Sequence, residues 1–492
     1  MTDLSPSSEG GPAQQAIAAR SQGIGSPWQG RFAESWPLII VIGVLSLTLG
    51  LSVLLIESRL VVGVVVLLLT GALMLRHPYV GILLYFAILY GRPAEMGVLP
   101  ALLHVERVVA VILMVAVGIN LVVGQRRRLP ASQVNWAVVG LLAAILASVP
   151  FAYWRGGAVS AALEFAKLCF LYFSIILLVD SLRRARVLLW LALMVWAWHG
   201  LSAWAGYHAG TSVFVGEQHV VRAVGPTSRF GDANTLGYLL VVGMCFVVGL
   251  FRAERSLFAR VVLVVLGLLC FGGTLMTGSR TALVGVAFLA LIAIWQTRRK
   301  LLAAGLAVVF LAMGWMMTPG TLRSRYETIG TYQTETTWVN RQHGWLVGAR
   351  MFLDHPVFGV GAGNFGSARH GLYERSWLEA HSVYTQVAAE LGLPGIICFG
   401  AFVVLIFLEN RRLRRKLEGM EQSGDVLYAH SLSVALTTAL AMLLLLGITG
   451  HNMYNPNYYL VAALTVALGR IARDWGQDAE HAVRPAEEGA AG

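Results

Sequence analysis

The stretch "LEAHSVYTQVAAELGLPGIICFGAFVVLIFL", residues 378–408, joins a polar entrance to an unbroken apolar run. Its second part, "IICFGAFVVLIFL" (396–408), reads as the body of a membrane helix. The entrance carries His381, Ser382, Tyr384, Thr385, Gln386 and Glu390 within a few turns' length. Polar and ionisable groups at membrane depth are costly, so such an entrance calls for a specific reason. The reason depends on what the rest of the chain is, and on which side of a bilayer the entrance faces.

The 492 residues are 57% hydrophobic and 13% charged, with a mean hydropathy of +0.68, a balance that belongs to membrane proteins. Runs such as "WPLIIVIGVLSLTLGLSVLLI" (36–56) and "LHVERVVAVILMVAVGINLVVG" (103–124) are long enough to cross about 30 Å of hydrocarbon as helices. Similar runs fall near 59–75, 79–90, 134–153, 160–179, 186–207, 233–251, 258–276, 281–296, 301–317, 385–408, 429–447 and 457–472. The reading is an all-α polytopic membrane protein with about 12–14 transmembrane helices, since helices satisfy their own backbone groups in lipid. The segments 79–90 and 281–296 are short enough to be re-entrant or tilted.

Residues 1–35 lack an apolar core and read as a disordered cytoplasmic tail rather than a cleaved signal peptide. Residues 36–317 then form the first part of a transmembrane bundle and 385–472 the second. Between them lies one long external loop, 318–384, and 473–492 form a cytoplasmic C-terminal tail whose end, "DAEHAVRPAEEGAAG", reads like the first tail. Cys169, Cys245, Cys270 and Cys398 sit singly in apolar runs, which suits small buried hydrophobes rather than a disulfide framework or thiolate metal site.

A net charge of +11 raises nucleic acid or an anionic membrane surface as partners. Position decides. "QRRRL" (125–129), "RRAR" (183–186), "RAERSLFAR" (252–260), "TRRK" (297–300) and "NRRLRRKLE" (410–418) each flank a predicted span. That is the positive-inside pattern of a bilayer protein, not a nucleic-acid surface. If the N-terminal tail is cytoplasmic, alternation puts all these clusters inside. It puts 208–232, the 277–281 corner and 318–384 outside.

The external segments hold the residues that need explaining. "VVRAVGPTSRFGDANTLG" (220–237) carries Arg222, Arg229, Asp232 and Asn234; "TLMTGSRTALVG" (274–285) carries Arg280. The long loop begins a helix, "NRQHGWLVGARMFLDHP" (340–356), with Arg341 at its start. Trp345, Ala349 and Phe352 recur there at helical spacing, predicting an amphipathic surface helix. "FGVGAGNF" (358–365) reads as a turn rather than a phosphate loop, for no strand or Walker lysine accompanies it. Arginines on the side that the positive-inside rule disfavours are either snorkelling helix-end residues or partners of an anion. Asp232 and Glu390 are possible protein partners, and a phosphate ligand suits the guanidinium fork equally. His381 is either a helix cap or a base for a hydroxyl. Tyr384 and Thr385, at i+3 and i+4, would share its helical face, with Gln386 and Glu390 bracing from the other. Neither HExxH nor DxD spacing occurs in these segments, so a metal site is not expected.

In order and spacing, "RAVGPTSRFGDANTLG", "TGSRTALVG", "NRQHGWLVGARMFLDHPVFGVGAGNF" and "AHSVYTQVAAELGLPG" resemble the O-antigen ligase and Wzy-type polymerase superfamily. The resemblance covers roughly residues 220–400, and departs from the family pattern at Ser382, often asparagine, and at Ala233, often proline. It implies a GT-C-like membrane architecture in the bacterial inner membrane, with the active site facing the periplasm. It also implies transfer of a glycan from an undecaprenyl-pyrophosphate carrier to a hydroxyl of a lipid, glycan or protein acceptor, without metal, nucleotide or other cofactor. Arg222 and Arg280 match the arginines that hold the donor pyrophosphate. His381 matches the histidine that activates the acceptor, and Arg341 a loop arginine of less settled role. Arg229, Asp232, Asn234, Tyr384, Gln386 and Glu390 stand as supporting residues. Ligase is favoured over polymerase, which would share the donor chemistry. A lipid or anionic-solute transporter is the rival from another class, disfavoured because no internal repeat relates the two halves.

Overall fold

The computed structural model describes residues 58–92, 105–123, 129–211, 213–215, 220–227, 231–327, 336–451 and 453–490. The chain divides into two compact units, Met1–Leu73 and Met74–Gly492. Of the first, only the beginning of one helix is described. The expected N-terminal tail, the predicted span 37–56 and Arg229 lie outside the described residues.

In chain order the helices are α1 (Ser58–Arg76), α2 (Pro78–Gly91), α3 (Val105–Val123), α4 (Gln133–Ser148), α5 (Arg155–Leu178) and α6 (Leu182–Ala209). A two-stranded antiparallel ribbon follows, β1 (Val213–Val215) with β2 (Val221–Ala223), in a register that sets Phe214 opposite Arg222. Next come α7 (Ala233–Ala253), α8 (Leu257–Met276), α9 (Arg280–Trp295), α10 (Lys300–Met317), α11 (Gly320–Glu327), α12 (Thr336–Asp354) and the single turn α13 (Phe365–Ala368). The chain closes with α14 (Val383–Glu418), α15 (Gly424–Gly447) and α16 (Pro456–Ala490).

This is an all-α polytopic membrane protein. Eight of the described helices are long and apolar enough to cross a bilayer, with shorter apolar helices at α2 and α9. Each predicted span from 59 onward coincides with one of the helices named above. Leu301 is 91% exposed and Phe258 78%, as residues facing lipid can be and residues facing water seldom are. At the C-terminus α16 runs to Ala490, through the stretch read as a tail.

Lipid supplies little drive for helices to associate, so packing and interhelical hydrogen bonds do the work. At the crossing of α6 and α8, a Cβ added to Gly273 would lie 2.5 Å from the Gly200 Cα; only glycine lets these backbones approach so closely. Buried Asn410 of α14 donates to Thr465 Oγ1 of α16 at 2.9 Å and accepts from Ser433 Oγ of α15 at 3.0 Å. Each such bond contributes about 0.6 kcal/mol in a membrane interior.

The helices alternate in direction, and this sorts the connections into two ends. The starts of α7, α9, α14 and α16 share one end with the ribbon and the ends of α8, α10 and α15. The opposite end gathers the basic gaps that are described. There Arg186 lies over the Tyr428 ring at 3.9 Å and 3.7 Å from Glu254, while Arg252 donates to Gln296 Oε1 at 2.7 Å.

Candidate functional site

The polar residues at the ribbon end are assembled by helix starts. Asp232 caps α7, accepting from the Thr235 N–H at 2.7 Å and the Thr235 hydroxyl at 3.0 Å. Two residues later, Asn234 Oδ1 accepts from Arg222 Nη2 at 3.0 Å and from Ser279 Oγ at 2.9 Å. Ser279 in turn caps α9, whose first residue is Arg280, half-buried. Arg222 is buried, and its Nε donates to the Thr277 carbonyl at 2.8 Å. Burial pulls the Arg222 pKa below the usual guanidinium range, opposed by the Asp232 charge. So the ribbon, the start of α7 and the 277–280 corner form one hydrogen-bonded unit, and Asn234 is its hub. A Cβ at Gly278, where φ is +59°, would lie 2.9 Å from Leu322 of α11, so α11 closes over this corner. Arg325 Nε donates to the Gly278 carbonyl at 3.0 Å.

The segment 318–384 packs a small core of Val347, Met351, Val360, Phe365, Ala368 and Ala380 against Ala389 of α14. The face that α12 buries is Gly344, Val347, Gly348 and Met351. The stripe of Trp345, Ala349 and Phe352 lies one residue further on, about 100° around the helix, with Trp345 and Phe352 half-buried. The two glycines explain the offset. A Cβ at Gly348 would fall 2.1 Å from Thr385 Cγ2, so the bare backbone is what seats α12 against α14. Hydrophobicity alone picks the tryptophan; backbone approach picks the glycines.

After α12, Gly359, Gly361 and Gly363 all have positive φ, +64°, +100° and +66°, as the turn reading requires. Glu390 of α14, 1% exposed, fastens this turn. It accepts from the Gly363 N–H at 2.8 Å, the Tyr454 hydroxyl at 2.9 Å and Gln386 Nε2 at 3.3 Å. Gln386 Oε1 accepts from the Met453 N–H at 3.3 Å. Both side chains thus tie α14 to the glycine turn and to the α15–α16 connection, and Glu390 has no contact with an arginine among its hydrogen-bond partners.

His381 does not belong to α14. It precedes the cap, Ser382, which accepts from the Thr385 N–H at 3.5 Å. Its own φ is +47°, a left-handed value that costs a residue with a Cβ about 1–2 kcal/mol. The expectation that Tyr384 and Thr385 share its helical face therefore fails, because helical spacing does not extend through a non-helical residue. Tyr384 is exposed and donates to the Leu444 carbonyl at 3.0 Å instead.

What surrounds His381 comes from distant parts of the chain. Its ring lies edge-on to His451, with centroids 5.3 Å apart. Burial lowers the His381 pKa to about 4, helped by the charges of His451, Arg341 and Arg369 and opposed by Asp232. The Arg341 charge also acts on Arg222, so this arginine of α12 is felt at both the Arg222–Asn234 unit and His381. Arg369 is buried, with Nη1 donating to the Leu378 carbonyl at 3.2 Å and Nη2 to Glu374 at 3.1 Å. Burial raises the Glu379 carboxyl pKa, and His451 and Arg369 pull it back. At the rim, Thr281 and Thr449 hydroxyls meet at 2.9 Å, which joins the start of α9 to the loop bearing His451.

Sequence reasoning passed over Thr449, His451 and Tyr454 in the α15–α16 connection, along with Arg369 and Glu379. The stretch "TGHNMYNPN" (449–457) is a polar gap between two predicted spans on the same side as His381 by alternation. That parity was the available signal.

A bundle of apolar helices with buried arginines and a strained histidine gathered at one end defines a polytopic membrane protein with a polar site at that end. A family model described as O-antigen ligase matches residues 265–400 of the 492, so this part of the chain is similar to that family. The match takes in Arg280, Arg341 and His381; Arg222 and His451 lie outside it. No curated protein matches the chain significantly.

Proposed function

We propose that the chain transfers a glycan from an undecaprenyl-pyrophosphate carrier to an acceptor hydroxyl at the periplasmic face of the bacterial inner membrane, as an O-antigen ligase-like enzyme. The observation that carries this reading is the convergence of Arg222, the Ser279–Arg280 corner, Arg341 and His381 on one end of the bundle.

In this reading Arg222 and Arg280 hold the pyrophosphate, and negative charge grows there as the glycosyl bond breaks. Fixed cations in a partly dehydrated site stabilise that charge without reorganising. Arg222 is fixed by its two hydrogen bonds, to Thr277 and Asn234, before any ligand arrives. The arginines carry this charge-stabilising role in the reading.

His381 accepts the acceptor hydroxyl's proton as the new bond to the sugar forms. Its low pKa keeps it neutral, and so able to accept, at physiological pH. A base with so low a pKa is weak, and Arg341 is part of the cause. A bound pyrophosphate brings opposing negative charge beside Arg341 and restores basicity to His381. The histidine is then strongest as a base when the donor is in place, which protects the site from idle protonation. His451 lies edge-on to its ring.

The test is transfer by purified protein from a defined undecaprenyl-pyrophosphate glycan in EDTA, comparing wild type, Arg280→Ala and His381→Ala. Transfer by wild type alone, with both variants folded, supports the reading. Near-normal turnover by His381→Ala makes the histidine structural, and no consumption of donor under any condition returns the transporter reading.

A further inference from the structure

At the end of the bundle opposite His381, a cavity of about 610 Å³ opens between the start of α4 and the far parts of α14 and α16. α14 is broken at Gly392, and the part beyond it, from Leu393 to Arg412, by itself rises on the order of 30 Å, so this cavity is remote from the site above. Its charged lining is Glu409, Arg412, Lys416 and Arg473, three cations less one carboxylate, or +2 net.

Glu409 organises the wall rather than neutralising it. Its side chain is 12% exposed; Oε1 lies 3.6 Å from Arg473 Nη1 and Oε2 3.9 Å from Arg412 Nη1. One carboxylate thereby holds two guanidinium groups from different helices side by side. A Cβ at Gly469 would sit 3.1 Å from Glu409 Oε1, so the bare glycine leaves room for this arrangement. The Arg412 and Arg473 side chains remain 63% and 41% exposed, open to the cavity mouth. The rim carries Trp136, one turn into α4 and 77% exposed. A tryptophan so exposed on a membrane helix, next to arginines and a lysine, fits the headgroup level of a bilayer, where its ring is amphipathically satisfied.

We propose that this cleft binds the phosphate headgroup of an anionic membrane phospholipid. The phosphate sits among Arg412, Arg473 and Lys416, and the glycerol and first acyl carbons lie against Trp136. Guanidinium pairs suit phosphate oxygens, and basic pockets between transmembrane helices favour such headgroups. The acyl contact with Trp136 distinguishes a bilayer lipid from a soluble phosphate.

Native mass spectrometry of the full-length protein in neutral detergent tests this, with phosphatidylglycerol or phosphatidylcholine added at equal concentration. Wild type is expected to retain phosphatidylglycerol in preference. Arg412→Gln with Lys416→Gln, which spares the Arg473–Glu409 pair, should lower that retention on the order of tenfold. Arg298→Gln with Arg299→Gln, in another basic gap, should not. Raising salt on wild type should weaken retention without any variant, through screening of an exposed ionic contact. Equal retention by wild type and the Arg412/Lys416 variant, or no preference between the two lipids, overturns the proposal. Displacement of the lipid by inorganic phosphate at matched concentration overturns the assignment to a bilayer lipid.

Discussion

Replacing Asn234 separates a structural role for Arg222 from an anion-binding one. Asn234 Oδ1 holds Arg222 Nη2 at 3.0 Å, while the Thr277 carbonyl holds Nε at 2.8 Å. In Asn234→Ala the first bond is lost and the guanidinium keeps a single tether. A hydrogen bond to a charged group contributes about 1.5–3 kcal/mol, so the loss in kcat/KM for the donor is bounded at roughly 10- to 150-fold. Ser279, itself buried, loses the acceptor of its hydroxyl in the same variant, so the upper part of that range is expected. Asn234→Asp has nearly the same shape and a stronger bond to Arg222. If Arg222 only braces the fold, the aspartate variant is at least as stable and as active as wild type. If Arg222 holds a pyrophosphate, the new carboxylate competes with the donor and repels it, and Asp is worse than Ala in donor kcat/KM despite equal or better thermal stability. The assay is steady-state transfer with varied donor, alongside thermal unfolding in the same detergent. Wild-type donor kcat/KM in Asn234→Asp would refute the reasoning outright.

Further outcomes follow from the same geometry. His381 is held near pKa 4 against 6.5 when unfolded, so its contribution to stability is present above pH 6.5 and is lost as pH falls from there through about 4. The acid limb of donor kcat/KM should accordingly lie near pH 4, and that of kcat, measured with donor bound, at higher pH; a kcat/KM limb at 6.5 in the pH profile contradicts the assigned environment. His381→Gly should be more stable than His381→Ala by about 1 kcal/mol in thermal unfolding, because φ of +47° suits glycine, and equal melting of the two removes the strain. Glu390→Ala orphans the Gly363 N–H and the Tyr454 hydroxyl at about 1–3 kcal/mol each, and should destabilise far more than Glu390→Gln in thermal unfolding.

The helices were legible because hydropathy is a local sum. A run such as 233–251 is apolar enough to span a bilayer whatever surrounds it, and α7 spans Ala233–Ala253. The sorting of basic gaps to one end was legible for the same reason, since each crossing reverses direction. Local reading failed where backbone approach overrode side-chain character. At α12 the glycines, not the tryptophan, chose the buried face. At His381 a left-handed residue broke the helical count, so neighbours three and four positions on point elsewhere.

The sequence by itself determined that this chain is a membrane bundle, and which polar residues cannot be explained by lipid. It also led to the expectation that they gather at one end, through parity of crossings. Tertiary structure alone decided who meets whom at that end. Asn234 as the hub of Arg222 and Ser279, and His451 edge-on to His381, depend on the lateral order of helices around the bundle. That order is set by contacts such as Gly200 against Gly273, made between segments far apart in the chain. Periodicity places a residue at a depth and on a face; only packing places another helix beside it.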